Sequence, residues 1–568
     1  MHRRRFSSLA SRVARILCIG ILISGLSAEV SEIRRHVGLP QDWTHHHIKF
    51  NTSALRQRPE IASREPRAAF QLYREALASV MRTGSFAQSA LISPSTSNGD
   101  WTVNLGAGRI QSNQYPAKWT DDPFAAVTSA NCSSDYVVMG LNVVGSATQA
   151  NLVGFNNLYS SPTTPALCGT SPTFLFAYNV TTSAAGVIRT SPVISLDGKK
   201  IAFIESDGTA GASRTILHVV NVPASNPGPG FPQGSSAASP VVPGGMISLT
   251  ISNTSTDTRS SPWVDYVSDT LYVCSDNGRA YKVTGVFKGT PTLVGAPWPK
   301  AIVGGGLTSP VFDDVTNKLF IGATNGRVYS VSADNVSTAL TFLQVGTSGA
   351  QNPGVLDTPI VDSTAGTLMA ISSNDSTVLN SAVVVQGSTS TLAEIRRLSI
   401  GQGSTGGTSV TLFGGDFDNA YINNPASGHM LICGTAPAST IPTLYSVSFD
   451  GAAHMTTVSQ LSAVSTVATA RCGPITEFYN VNAAGGPTDS FFFGVSARCT
   501  AGTGVTNGCV MARQTTAGVT TTIATFSRAG ASGIIPDNNS AQPNASSIYF
   551  TNQGGTALAV KLTQQGLN

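Results

Sequence analysis

Apolar positions in this chain come in short runs separated by Gly, Asn, Asp and Pro, and one arrangement of them recurs. Ser261-Pro262 leads to Leu271-Tyr272-Val273-Cys274, then Asn277-Gly278, then Ala280-Tyr281-Lys282-Val283. Ser309-Pro310 leads in the same way to Leu319-Phe320-Ile321-Gly322, Asn325-Gly326 and Val328-Tyr329-Ser330-Val331. Short runs rich in β-branched and aromatic residues, bounded by turn residues, read as strands. An Asn-Gly pair between two of them predicts a type I′ hairpin. Weaker copies place further strands, so that the units are marked by strands starting near residues 136, 201, 271, 319, 368, 430, 491 and 548. In the first unit Phe174–Tyr178 is expected to be the return strand.

A unit of three or four short strands cannot bury both faces of its sheet. Copies stacked face to face around an axis can, which makes the chain all-β and a β-propeller. Eight marks predict eight blades, with seven as the next count. The Ser/Thr-Pro pairs suit the start of an inner strand, where a missing N–H is tolerated. The last unit is one strand short near Lys561-Leu562, and Asp100–Leu105 can supply that strand and close the ring.

Ahead of the repeats the periodicity changes. From Pro66 to Met81 apolar residues recur at spacings of three and four, which predicts one amphipathic helix ending before Gly84. The expected organisation is a signal peptide (1–28), an N-terminal helical preface with a polar linker (29–99), and the propeller (100–568). The preface helix is expected to seal one face or edge of the ring, a docking helix for a partner being the alternative.

Composition sharpens this picture. Only 11% of residues are charged, against 56 glycines in 568 residues, and the net charge is +4. No Lys/Arg block with interleaved aromatics argues for nucleic acid. Arg3-Arg4-Arg5, an apolar stretch from Ile16 to Leu26 and then Ser27-Ala28 form the three zones of a cleaved export signal, with cleavage at Ser27 or Ala28. The stretch is short for a bilayer span, which takes about 20 residues, so no membrane span is expected after cleavage. The expected location is secreted or periplasmic. An oxidising destination permits disulfides. Three pairs are candidates: Cys132 with Cys168, Cys433 with Cys472, and Cys499 with Cys509, leaving Cys274 as a small buried apolar residue in a strand.

The phrase Leu271–Val283 and its copy Leu319–Val331 resemble the repeat of the quinoprotein-like β-propeller superfamily. The resemblance implies a propeller, often eight-bladed, and an envelope or extracellular setting. On function it divides between quinone-dependent dehydrogenases and non-catalytic scaffolds. The dehydrogenases carry adjacent cysteines, a recurrent Trp motif and acidic calcium ligands. This chain has no adjacent cysteines, and Trp43, Trp101, Trp119, Trp263 and Trp298 do not recur at one blade position.

Other chemistry-bearing residues have plain readings. His45-His46-His47 can ligate a metal, but consecutive side chains point apart, and an exposed polar patch is expected. Asp265, Asp313 and Asp362 recur three residues after each Pro. They either ring a channel as cation ligands or accept N–H bonds in their own turns, the second being expected. His218 reads as a packed core residue, and Trp263 and Trp298 as blade supports rather than a glycan groove. No nucleophile elbow is present. The sequence therefore reads as an exported, monomeric, non-catalytic interaction or scaffold module with an unknown protein or glycan partner and no cofactor. The alternatives are a divergent oxidoreductase using pyrroloquinoline quinone and calcium, a hydrolase sited on loops, and a carbohydrate-binding surface protein.

Overall fold

The computed structural model describes residues 38–57, 64–83, 98–122, 131–162, 167–223, 233–303, 305–334, 340–349, 352–405, 408–480, 488–500, 507–516, 519–527, 530–537 and 547–563. The expected signal peptide (1–28) and the expected polar linker up to residue 97 lie outside these residues, and Asn98 and Gly99 begin a strand.

Eight antiparallel sheets follow one another along the chain and form an eight-bladed β-propeller. The strands marked by the repeat phrase are the second strand of every blade: Tyr136–Gly140, Lys200–Asp207, Thr270–Ser275, Lys318–Gly322, Thr367–Ser372, His429–Thr435, Thr488–Val495 and Ser547–Thr551. The first, innermost strands are shorter: Ala117–Thr120, Val193–Ile194, Trp263–Asp265, Val311–Asp313, Ile360–Asp362, Asp416–Phe417, Thr476–Asn480 and Ile535–Asp537. In blade 8 the fourth strand is Asn98–Ala107, which pairs antiparallel with Thr556–Thr563. Sequence from before the first blade thus closes the last one.

The apolar faces meet between blades. One cluster joins Val193, Ala202, Trp263, Val273, Leu319, Ile321, Val361 and Val383 across four successive blades. Polar groups also link neighbours. The Tyr115 N–H donates to Ser191 Oγ at 2.9 Å, the Ser191 N–H to Ser261 Oγ at 2.8 Å, and the Ser261 N–H to Ser309 Oγ at 2.7 Å. The serine of each Ser-Pro pair thus accepts from the same place in the preceding blade. An entry strand that begins with Pro has few backbone donors, and the hydroxyls form a girdle in their place.

Three expectations need correction. The hairpins at Asn277-Gly278 and Asn325-Gly326 are not type I′, because only the glycines have positive φ, +77° and +82°. Ser275 faces Arg279 across a three-residue loop, with the Gly278 N–H on the Ser275 carbonyl at 3.0 Å. This is a type I turn followed by a left-handed Gly. In blade 1 the return strand is Leu152–Asn156, and Thr173–Tyr178 is the outer fourth strand. The preface, finally, is part of the blades as well as a helix. Its helix runs Pro66–Thr83, but Leu39–Gln41 and Ile48–Lys49 are strands added to the inner edges of blades 1 and 5.

Candidate functional site: the filled channel

Blades 1 and 5 face each other across an eight-membered ring, so a segment paired to both crosses the central channel. Leu39–Gln41 runs antiparallel to Lys118–Thr120. A short 3-10 helix, Trp43–His46, turns the chain, capped by Asp42, whose carboxylate accepts the Thr44 N–H at 2.9 Å. Ile48–Lys49 then descends parallel to Val361-Asp362. The helix Pro66–Thr83 crosses the other way, since Arg67 reaches blade 3 and Arg74 reaches blade 7. Its buried Ala68 and Leu72 join Trp43, Ile48 and Phe50 in the main apolar cluster. The two crossings are clasped together: the Phe50 N–H donates to Gln71 Oε1 at 2.9 Å, and Gln71 Nε2 donates to the Phe50 carbonyl at 3.0 Å.

Cations of the plug anchor it to the blades. Arg67 is 4% exposed; it pairs with Glu65 at 2.6 and 2.7 Å, bonds Thr44, and donates to the Val264 carbonyl at 3.1 Å. Its guanidinium lies over the rings of Trp263 and Tyr266 at 5.0 and 4.9 Å. Arg74 pairs with Glu477 at 2.6 Å and donates to Asn419 Oδ1 at 3.1 Å. Lys49 lies 3.4 Å from Asp362, which also accepts from the Tyr421 hydroxyl at 2.9 Å. Charges removed from water this completely must be paired.

His46 and His47 are buried in this plug and His45 is half-buried, so the three do not form an exposed patch. His46 Nδ1 is 3.2 Å from Asp416 Oδ2, and its ring stacks on Tyr115 at 5.5 Å. His47 donates from Nδ1 to the Trp43 carbonyl at 2.8 Å. Its Nε2 is 3.9 Å from Asp357. Burial pushes His45 well below the ordinary imidazole range, with His46 and Arg67 adding to the effect. Burial also lowers His47, against the opposing pull of Asp357. Both are therefore neutral at pH 7. In blade 7, burial and the neighbouring Glu477 push the Asp489 carboxyl well above the usual carboxylate range, while Arg74 holds Glu477. Among the described residues no group of three or more His, Cys, Asp or Glu has the geometry of a metal site.

The recurrent aspartates serve their own turns. Asp362 accepts from the N–H groups of Thr364 and Ala365, both at 2.9 Å; Asp265 accepts from Val267 at 3.0 Å; and Asp313 accepts from Thr316 at 3.3 Å. Trp263 and Trp298 are 1% and 5% exposed, so neither offers an open platform for a sugar. Cys132 is bonded to Cys168, and Cys499 to Cys509. Cys433 and Cys472, expected to form a third bridge, are free thiols that pack as apolar side chains in one cluster of adjacent blades. Cys274 is free and buried.

Sequence reading missed two arrangements. The plug was invisible because its pairing partners lie far along the chain, Thr120 for Leu39 and Val361 for Ile48. The second is in blade 2, where His218 is 2.6 Å from Glu205 and 2.8 Å from Ser248. Alternation within the strands could have put His218 and Glu205 on one face, but not joined them to Ser248.

No family model matches the chain, and no curated protein matches it. Solved structures are similar to it over most of its length. BamB from Moraxella catarrhalis is 11% identical, with a TM-score of 0.39, over 83% of this chain and 98% of that one. The Dos1 propeller is 10% identical, with a TM-score of 0.44, over 82% and 96%. A chain of the mitotic checkpoint complex is 10% identical, with a TM-score of 0.36, over 72% and 92%.

Proposed function

We propose that this protein is an exported interaction module, a rigid disc that binds a protein or glycan partner with its faces and loops rather than with its channel. One observation carries the reading: the channel is occupied by the chain's own N-terminal segment, tied by Lys49, Arg67 and Arg74 to blades 5, 3 and 7. A ring filled in this way offers loops on a rigid scaffold, where binding residues commonly sit. Apolar side chains stand open on such loops: Val378 and Leu379 are 55% and 89% exposed, and Val242 is 65% exposed. Two disulfides and the three-zone N-terminus support an extracytoplasmic site. No helix among the described residues is long and apolar enough to cross a membrane. The hairpin phrase supports kinship with the quinoprotein-like propellers without their cofactor.

Expression of the full chain with a C-terminal tag tests this. The exported form is expected to have lost about 28 residues and to carry Cys132, Cys168, Cys499 and Cys509 protected from alkylation. Retention in the cytosol with an intact N-terminus would refute export. Saturable uptake of pyrroloquinoline quinone with calcium would refute the cofactor-free reading.

A further inference from the structure

We propose that Ser248 is an activated nucleophile, with His218 as its general base and Glu205 as the group that positions the base. The three residues lie on successive strands of blade 2. Ser248 faces His218 directly across the third and fourth strands. On the second strand Phe203 faces His218, and Glu205, two residues further on, shares that face. His218 Nε2 is 2.6 Å from Glu205 Oε2, and His218 Nδ1 is 2.8 Å from Ser248 Oγ.

The hydrogen bonds of Glu205 place a proton on His218 Nε2. Glu205 accepts from the Thr182 N–H at 2.9 Å and hydroxyl at 2.5 Å, and from the Ser183 N–H at 2.9 Å and hydroxyl at 2.7 Å. Burial works against its charge. The bonds from His218, Thr182 and Ser183 outweigh it and bring the carboxyl down to about 2. An ionised carboxylate only accepts, so Nε2 must carry the imidazole proton. When the ring carries that one proton, Nδ1 is an acceptor and the Ser248 hydroxyl donates to it. A nucleophile on its base, with the base oriented by a third group, is the general form of a hydrolytic triad. The loop that holds Glu205 closes tightly on the carboxylate, because a Cβ at Gly186 would stand 1.6 Å from Glu205 Oε1.

The burial gradient separates this arrangement from an ordinary core network. Glu205 and His218 are fully buried, whereas Ser248 is exposed. Ser248 therefore stands at the surface with a preset base on its inner side. Nearby, Met246 and Val241 lie partly buried against the cluster that contains Phe203, and Val242 is 65% exposed. That surface suits a carboxylic ester with an apolar acyl chain. Ser248 Oγ attacks the acyl carbonyl while its proton passes to His218 Nδ1. The C–O bond to the alcohol breaks as the imidazolium returns the proton to the leaving oxygen. Water then repeats the transfer, releasing the carboxylic acid and restoring the serine. This site lies outside the channel and does not depend on the binding reading above.

The test is reaction of the full-length protein with an alkyl fluorophosphonate, in which an Oγ–P bond forms and fluoride leaves, followed by peptide mapping. One label per chain is expected on Ser248. Labelling should be at least about 100-fold faster than in Ser248→Ala or His218→Gln, the lower end of general-base contributions. Ser248 is exposed, so Ser248→Ala should keep the wild-type thermal transition and carries the test even where His218→Gln does not fold. Glu205→Gln should lower the maximal labelling rate while leaving the half-saturating reagent concentration unchanged, a split that loose packing alone would not give. No label on the folded wild-type protein, a label elsewhere, or equal labelling of Ser248→Ala overturns the proposal.

Discussion

Replacing Arg67 with Met tests whether ion pairing holds the plug in the ring. Methionine keeps much of the apolar stem that lies over Trp263 and Tyr266 but removes every donor. Glu65 then loses both short contacts, and the Thr44 hydroxyl and Val264 carbonyl lose theirs. Glu65 is 6% exposed, and burial already raises its pKa against the pull of Arg67. Breaking a buried pair by removing one member costs about 3–5 kcal/mol. At about 1.4 kcal/mol per factor of ten, that is roughly two to nearly four powers of ten in the plug's opening equilibrium. Hydrogen exchange read on peptides covering residues 39–57 should report the change. The double variant Glu65→Gln/Arg67→Met should recover much of it, because no bare charge remains. The pH dependence has a definite sign. Without Arg67 the folded-state pKa of Glu65 rises further above its unfolded value, so stability is lost as pH rises between the two. The variant should open more at pH 8 than at pH 5. Unchanged protection in the single variant, or equal loss in single and double variants, would refute the electrostatic account of the plug.

Two further outcomes follow from the geometry. Ser261→Ala leaves the buried Ser191 N–H without its acceptor, and the expected cost is about 1–3 kcal/mol, read as a lower thermal midpoint; an unchanged midpoint would show that the girdle contributes nothing. His45 is half-buried, and desolvation holds its pKa well below the ordinary imidazole value. The unfolded chain therefore binds its proton first, and stability falls as pH drops below the ordinary value near 6.5. His45→Gln should remove that part of the decline in plug protection between about pH 6.5 and pH 5; identical slopes in both proteins would sink the assignment.

Architecture was legible where it repeats. The apolar phrases located the second strand of every blade, because each is a local run with its own turn. The Ser-Pro pairs marked inner strands for the same reason. Asp100–Leu105 was readable as the closing strand because the last unit lacked one. Blade 1 misled: its return strand, Leu152–Asn156, is short and contains Gly154, while the longer aromatic run Phe174–Tyr178 drew attention to the outer strand. The hairpin turn type was misread because Asn-Gly serves two turn families, and only the length of the loop separates them.

The sites were not legible, and the reason is distance along the chain. His46 meets Asp416 across 370 residues, and Arg74 meets Glu477 across 403. Neither partner carries a local signature that asks for the other. The segment that contains the histidines was polar enough to read as exposed. Yet the channel offers Lys49 the carboxylate of Asp362, Arg74 that of Glu477, and Arg67 the Val264 carbonyl beside its own Glu65, and there these cations can be buried. The same strands that build the ring thus select what fills it. Their carboxylates and edge carbonyls require cations and N–H groups, and the N-terminal segment supplies both. Occupancy of the channel is therefore a property of the folded chain.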